Sequence, residues 1–92
     1  MRIERLLWDE PTEIHIWSRH RVTPEEVEEA AFRHCLALRG RGKGVYEVYG
    51  RTVAGRYLMI ALRYRGRGDA IVITAREMSE TERRRYRMRI AH

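Results

Sequence analysis

The side chains best suited to chemistry stand in a few short groups. Arg19-His20 closes an amphipathic stretch, and Ala75-Arg76 closes an apolar, β-branched run that begins at Asp69. Ser79-x-x-Glu82 then reads as a helix start leading into Arg83, Arg84 and Arg85. A strand running into a cationic helix sets several guanidinium groups at a rigid junction, an arrangement suited to holding a polyanion. His20 titrates near working pH and could serve in acid/base chemistry. It could equally cap or pack a helix end, where a protonated imidazole gains from the dipole. Arg51, Arg56, Arg63 and Arg65 interleave with Tyr46, Tyr49, Tyr57 and Tyr64. That pattern suits base stacking beside phosphate contacts, though strand tyrosines are also ordinary core or edge residues.

Charge is divided unevenly over the 92 residues. Residues 1–38 carry −3 and residues 39–92 carry +9, for a net +6. A cationic half points to nucleic acid. Eighteen of the nineteen cations are Arg, and the chain has no Asn and no Gln. Absence of thermolabile amides suggests a thermophilic bacterial source, which would raise Arg everywhere. Location of the Arg residues therefore counts for more than their number. Acidic residues form no cluster for a metal, and Cys35 with four scattered His has no zinc spacing. Metal-dependent nuclease chemistry is thereby disfavoured, and no cofactor is expected. No apolar run reaches 18 residues and Met1-Arg2-Ile3-Glu4 is no secretory start, so a cytoplasmic protein without membrane contact is expected. Cys35 is expected to be an inert buried thiol at a helix end.

The length allows one domain, residues 1–92, with one modest core. Residues 2–8 read as a strand. Asp9 is positioned to cap a helix over about 10–19, with Ile14, Trp17 and His20 as its core stripe. Thr23-Pro24-Glu25-Glu26 predicts a capping box for a second helix to about His34, with Val27, Ala30 and Ala31 inward. Leu36–Arg39 is a short strand, and the glycine-punctuated run 40–44 is a hairpin loop or a phosphate contact. Val45–Arg51, Arg56–Arg65 and Asp69–Ala75 follow as strands, linked too briefly for anything but antiparallel pairing. In the central strand Leu58, Ile60 and Leu62 should face the helices; Tyr57, Met59, Ala61 and Arg63 should face solvent. A last helix spans about 80–91, docked by Tyr86, Ile90 and Met78. The order β-α-α-β-β-β-β-α predicts an α+β fold, a small antiparallel sheet packed on helices.

Trp8-Asp9, Arg19-His20 and Val22-Thr23-Pro24-Glu25-Glu26-Val27 resemble the N-terminal pattern of the BrnT family of bacterial toxins. Gly50-Arg51-Thr52 with Gly55-Arg56-Tyr57-Leu58 is similar to that family's strand-turn-strand segment. Ile73-Thr74-Ala75-Arg76, then Glu82 and Tyr86, looks like its closing motif. The resemblance implies a RelE-like fold and a type II toxin, a metal-independent endoribonuclease restrained by a cognate DNA-binding antitoxin. It makes Arg76 the phosphate clamp, His20 an acid/base or substrate-positioning group and Arg19 a second phosphate contact. Arg51, Arg56, Arg63, Arg65 and Arg83 become RNA-binding candidates. Trp8, Asp9, Glu82 and Tyr86 are then architectural. The family usually carries a basic residue where Ile71 stands and Gly where Arg21 stands. A dimer or a hetero-oligomer with the antitoxin is the expected assembly, and the alternative function is a catalytically inactive module of the same fold that binds RNA or an acidic protein.

Overall fold

The computed structural model describes residues 2–90. Its elements are β1 (Arg5–Leu7), α1 (Glu10–His20), α2 (Pro24–Phe32), β2 (Leu36–Arg39), β3 (Val45–Arg51), β4 (Tyr57–Gly66), β5 (Asp69–Glu77) and α3 (Glu80–Ile90). The element order matches the expected one. Position 91, the expected end of the last helix, lies outside the described residues.

Local chemistry explains each helix boundary. Asp9 caps α1, its Oδ1 accepting the Thr12 N–H at 2.8 Å. At the other end Arg21 sits in the left-handed region (φ 52°, ψ 44°), and its N–H reaches the Trp17 carbonyl at 2.9 Å. This is the site where the resemblance leads one to expect Gly, which takes that conformation without a Cβ penalty. Here the Arg21 guanidinium lies 5.2 Å from the Trp17 ring instead. In α2 the capping box is complete: the Glu26 N–H donates to Thr23 Oγ1 and the Thr23 N–H donates to Glu26 Oε1. The helix ends at Phe32, earlier than expected.

Strand order is β1-β5-β4-β3-β2. All neighbours are antiparallel except β1 and β5, which pair in parallel through Arg5–Leu7 and Asp69–Ile71. The sheet is therefore mixed, correcting the antiparallel expectation. Two helices separate β1 from the rest, so the chain crosses over the sheet and can return parallel. The first strand is also shorter than residues 2–8, because only three residues of β5 pair with it.

One face of the sheet packs against α1 and α2. Leu58, Ile60 and Leu62 of β4 join Ile16, Val22, Val27, Ala30 and Ala31 there, all buried, as expected. The helix α1 docks differently from the expected stripe. Ile16 is fully buried, while Ile14 and Trp17 are 58% and 51% exposed. With Thr12 and His20 half-buried, the inward line is spaced by four residues and runs through Ile16. The opposite face is not open to solvent as expected. There α3 covers Met59 and Tyr49 with Met78 and Tyr86, so the domain has three layers and a second, smaller core. Cys35 is exposed, not buried, because α2 has already ended.

A β-bulge decides which residues of β5 face α3. Ala61 pairs with Thr74 and Leu62 with Val72, leaving Ile73 without an opposite number. Two residues then oppose one, so Ile71 and Arg76 share the α3 face despite an odd separation.

Arg56 ties the layers together. Its guanidinium pairs with Glu26 at 3.0 Å and with Glu77 at 2.9 Å. It also donates to the His20 and Arg21 carbonyls at the end of α1, at 3.2 and 2.7 Å. Arg56→Gln would leave those acceptors with a shorter, uncharged donor. The expected cost is about 2–3 kcal/mol, read as a drop in thermal midpoint. A midpoint within about 3 °C of wild type would contradict this role.

Candidate functional site

Two groups of cations flank α3. The first gathers where β5 ends and α3 begins. Arg76 points from the α3 face of β5, its side chain 37% exposed, and forks onto Glu82. Arg76 Nη1 meets Glu82 Oε1 at 2.8 Å and Nη2 meets Oε2 at 3.0 Å. Glu82 Oε1 also accepts the Ser79 N–H at 2.8 Å, and the Glu82 N–H returns to Ser79 Oγ at 3.2 Å. One carboxylate thus caps α3 and holds Arg76. His20 lies close by at the end of α1, its ring 5.6 Å from that of His15 in an edge-on arrangement. Its pKa is pushed below the ordinary value by desolvation first, then by the charges of His15, Arg19 and Arg76. A neutral imidazole at neutral pH is able to accept a proton.

The second group surrounds Tyr57. Arg51 is its cross-strand neighbour on β3, while Arg83 and Arg87 reach down from α3. Their guanidinium carbons lie 4.9, 4.7 and 5.4 Å from the Tyr57 ring centre. Beside them is a cavity of about 550 Å³ that also takes in Arg33, His34, Val53, Tyr86 and Ile90. The Tyr86 hydroxyl donates to the His34 carbonyl at 2.7 Å, joining α3 to the end of α2.

Arg63 and Arg65 lie toward the far end of β4. Arg63 stands opposite Ile71, yet its guanidinium donates to the Lys43 carbonyl. Six residues of strand, about 20 Å, separate it from Tyr57. The cations therefore do not converge on one patch. Arg56 is committed to the ion-pair node described above. The loop 40–44 forms the β2–β3 hairpin connection. Among the described residues no group of three or more His, Cys, Asp or Glu could hold a metal ion, and no helix is long and apolar enough to cross a membrane.

No protein-family model matches the chain, and no curated protein matches it at a significant level. Among solved structures, the ribonuclease toxin BrnT of Brucella abortus superposes with a TM-score of 0.67 at 18% identity. The match covers 87% of this chain and 99% of that one. The fold is that of BrnT. In this BrnT-like fold the motif residues Trp8, Asp9, Glu82 and Tyr86 are architectural: Trp8 Nε1 donates to Glu28 at 3.1 Å, Asp9 and Glu82 cap helices, and Tyr86 is core. Of the residues lining the cavity, Arg87 belongs to the cationic helix face already weighed for RNA or an acidic partner, whereas His34 reads from the sequence as structural. Only the packing of α3 across the sheet brings the two beside Arg51.

The Arg76–Glu82 pair has a pH signature. The guanidinium of Arg76, and then the Ser79 N–H, pull the Glu82 carboxyl down to about 2. A folded-state value below the unfolded one stabilises the protein above about pH 4.5, and that stabilisation disappears as pH falls toward 2. Discounted for solvent contact, it amounts to about 1–2 kcal/mol. Wild type should lose that much more stability than Glu82→Gln between neutral pH and acid. Parallel melting curves against pH for the two proteins would refute the assignment.

Proposed function

We propose that this protein is a ribonuclease toxin of a type II toxin–antitoxin pair, a metal-independent endoribonuclease acting in the cytoplasm and restrained by a cognate DNA-binding antitoxin. The observation that carries the reading is the BrnT-like fold, in which Arg56 bridges the His20 carbonyl and Glu77, the neighbour of Arg76. In the proposed reaction His20 accepts the proton of a ribose 2′-hydroxyl, whose oxygen attacks the adjacent phosphorus. The bond to the 5′-oxygen breaks, that oxygen takes up a proton, and the products are a 2′,3′-cyclic phosphate and a 5′-hydroxyl. Arg76 stabilises the charge on the crowded phosphorane and Arg19 contacts the neighbouring phosphate. Arg76 must offer its remaining N–H groups to RNA or exchange Glu82 for phosphate.

The test is cleavage of RNA by the purified protein. Activity should persist in EDTA and fall steeply with added salt. It should rise with pH through a midpoint below 6.5, because His20 must be neutral and its pKa is depressed. Activity abolished by EDTA, or a midpoint above 7, would count against this mechanism. A second reading, a non-catalytic module binding RNA or an acidic protein, is favoured by two observations. Ile71 supplies no charge beside Arg63, and Glu82 occupies the fork of Arg76. Saturable RNA binding with no cleavage, and no growth arrest on induced expression, would select it.

A further inference from the structure

We propose that the cavity between β3, β4 and the C-terminal half of α3 is a binding site for one nucleoside monophosphate unit, separate from the His20–Arg76 centre. It rests on the proposed function only in taking an RNA strand as one source of that unit.

Charge around the cavity is uncompensated. Arg5, Arg56 and Arg76 each pair with a carboxylate. Arg33, Arg51, Arg83 and Arg87 form no such pair among the described residues, and no acidic side chain lines the cavity. Three guanidiniums crowded around one phenol repel each other unless an anion joins them. Close interaction with Arg87, and then the charges of Arg51, Arg87 and Arg83, hold the Tyr57 hydroxyl below its ordinary pKa. Several converging forks suit a phosphate dianion better than a single carboxylate.

The cavity is also built on the backbone side. Gly55 has φ +98°, and a Cβ there would lie 3.4 Å from Arg51 Nη2. Its absence leaves the guanidinium lying close against the turn after β3.

The lining of the cavity is mixed, cationic and apolar. The Tyr57 ring is already surrounded by guanidiniums, so it is no platform for a base. Val53, Ile90 and Tyr86 also line the cavity and offer apolar surface for a ribose and base. The volume of about 550 Å³ falls within the range of small-ligand sites, about 300–1,000 Å³. Phosphate on Arg51 and Arg87, with the nucleoside against Val53 and Ile90, uses both kinds of lining.

Calorimetric titration of the whole protein with a nucleoside 5′-monophosphate at low salt should show saturable binding. The parent nucleoside should bind at least about tenfold more weakly, as should the Arg51→Gln/Arg87→Gln variant. Arg5→Gln, on the edge strand away from the cavity, should bind the nucleotide as wild type does. If the double variant does not fold by circular dichroism, Val53→Glu at the exposed cavity mouth should weaken binding to a similar degree. Displacement of the nucleotide by a short RNA identifies a strand subsite. Binding that RNA cannot displace identifies a free nucleotide ligand at the same pocket. No saturable binding to wild type, or full binding in the folded variants, would overturn the site. A protein that cleaves RNA yet takes no nucleotide here would refute the pocket alone and leave the proposed function standing.

Discussion

Arg76→Ala should lower RNA cleavage by about 10²–10³-fold, the usual loss when one donor aimed at developing charge is removed. Induced expression of the variant should no longer arrest growth. The protein should still fold, because the Arg76 side chain is partly exposed and its contribution to stability is limited to the Glu82 pair. Losing that pair, at about 1–2 kcal/mol, lowers the thermal midpoint by several degrees. Arg76→Lys separates charge from geometry. It retains a cation but cannot span both Glu82 oxygens or two phosphate oxygens, so most of the activity should be lost with it. Measured initial rates, corrected for the folded fraction, decide the matter. Full activity in Arg76→Ala would remove this residue from the reacting centre and shift attention to Arg51 and Arg87.

The largest stability effect should come from a residue with no side chain. In β3, Gly50 lies directly beneath α2, and a Cβ at that position would sit 2.1 Å from the Ala30 carbonyl oxygen and 2.8 Å from its carbon. Both atoms belong to helix backbone and cannot swing aside. Gly50→Ala therefore forces α2 away from β3 and opens the contacts of Val27, Ala30 and Ala31, all buried. The expected cost is about 3–5 kcal/mol, out of a net stability of about 5–15 kcal/mol for a domain of this kind. Circular dichroism should show a midpoint lowered by about 15 °C or more. A loss of less than about 5 °C would mean that helix and strand do not approach so closely.

Helix starts were readable in the chain because they are local. Asp9, the Thr23–Glu26 box and the Ser79–Glu82 box each close a ring of a few residues, and all three are observed. The alternation of Leu58, Ile60 and Leu62 likewise placed one core face. Docking angles are not local. The spacing of Ile14 and Trp17 satisfies a helical stripe as well as Ile16 does, and only the sheet beneath α1 selects Ile16.

The candidate site divides in the same way. Residue types and positions along the chain determined where cations and imidazoles occur, which helices Asp9, Thr23 and Ser79 begin, and the α+β order of elements. Tertiary structure alone decided which cations are spent and which remain available. Ion pairs such as Arg56 with Glu26 and Arg76 with Glu82 depend on side chains meeting across layers. A one-residue bulge at Ile73 turned Arg76 to the α3 face, and α3 carried Arg83 and Arg87 onto Tyr57. Charge is a property of each residue, but its neutralisation belongs to pairs brought together only when the chain folds.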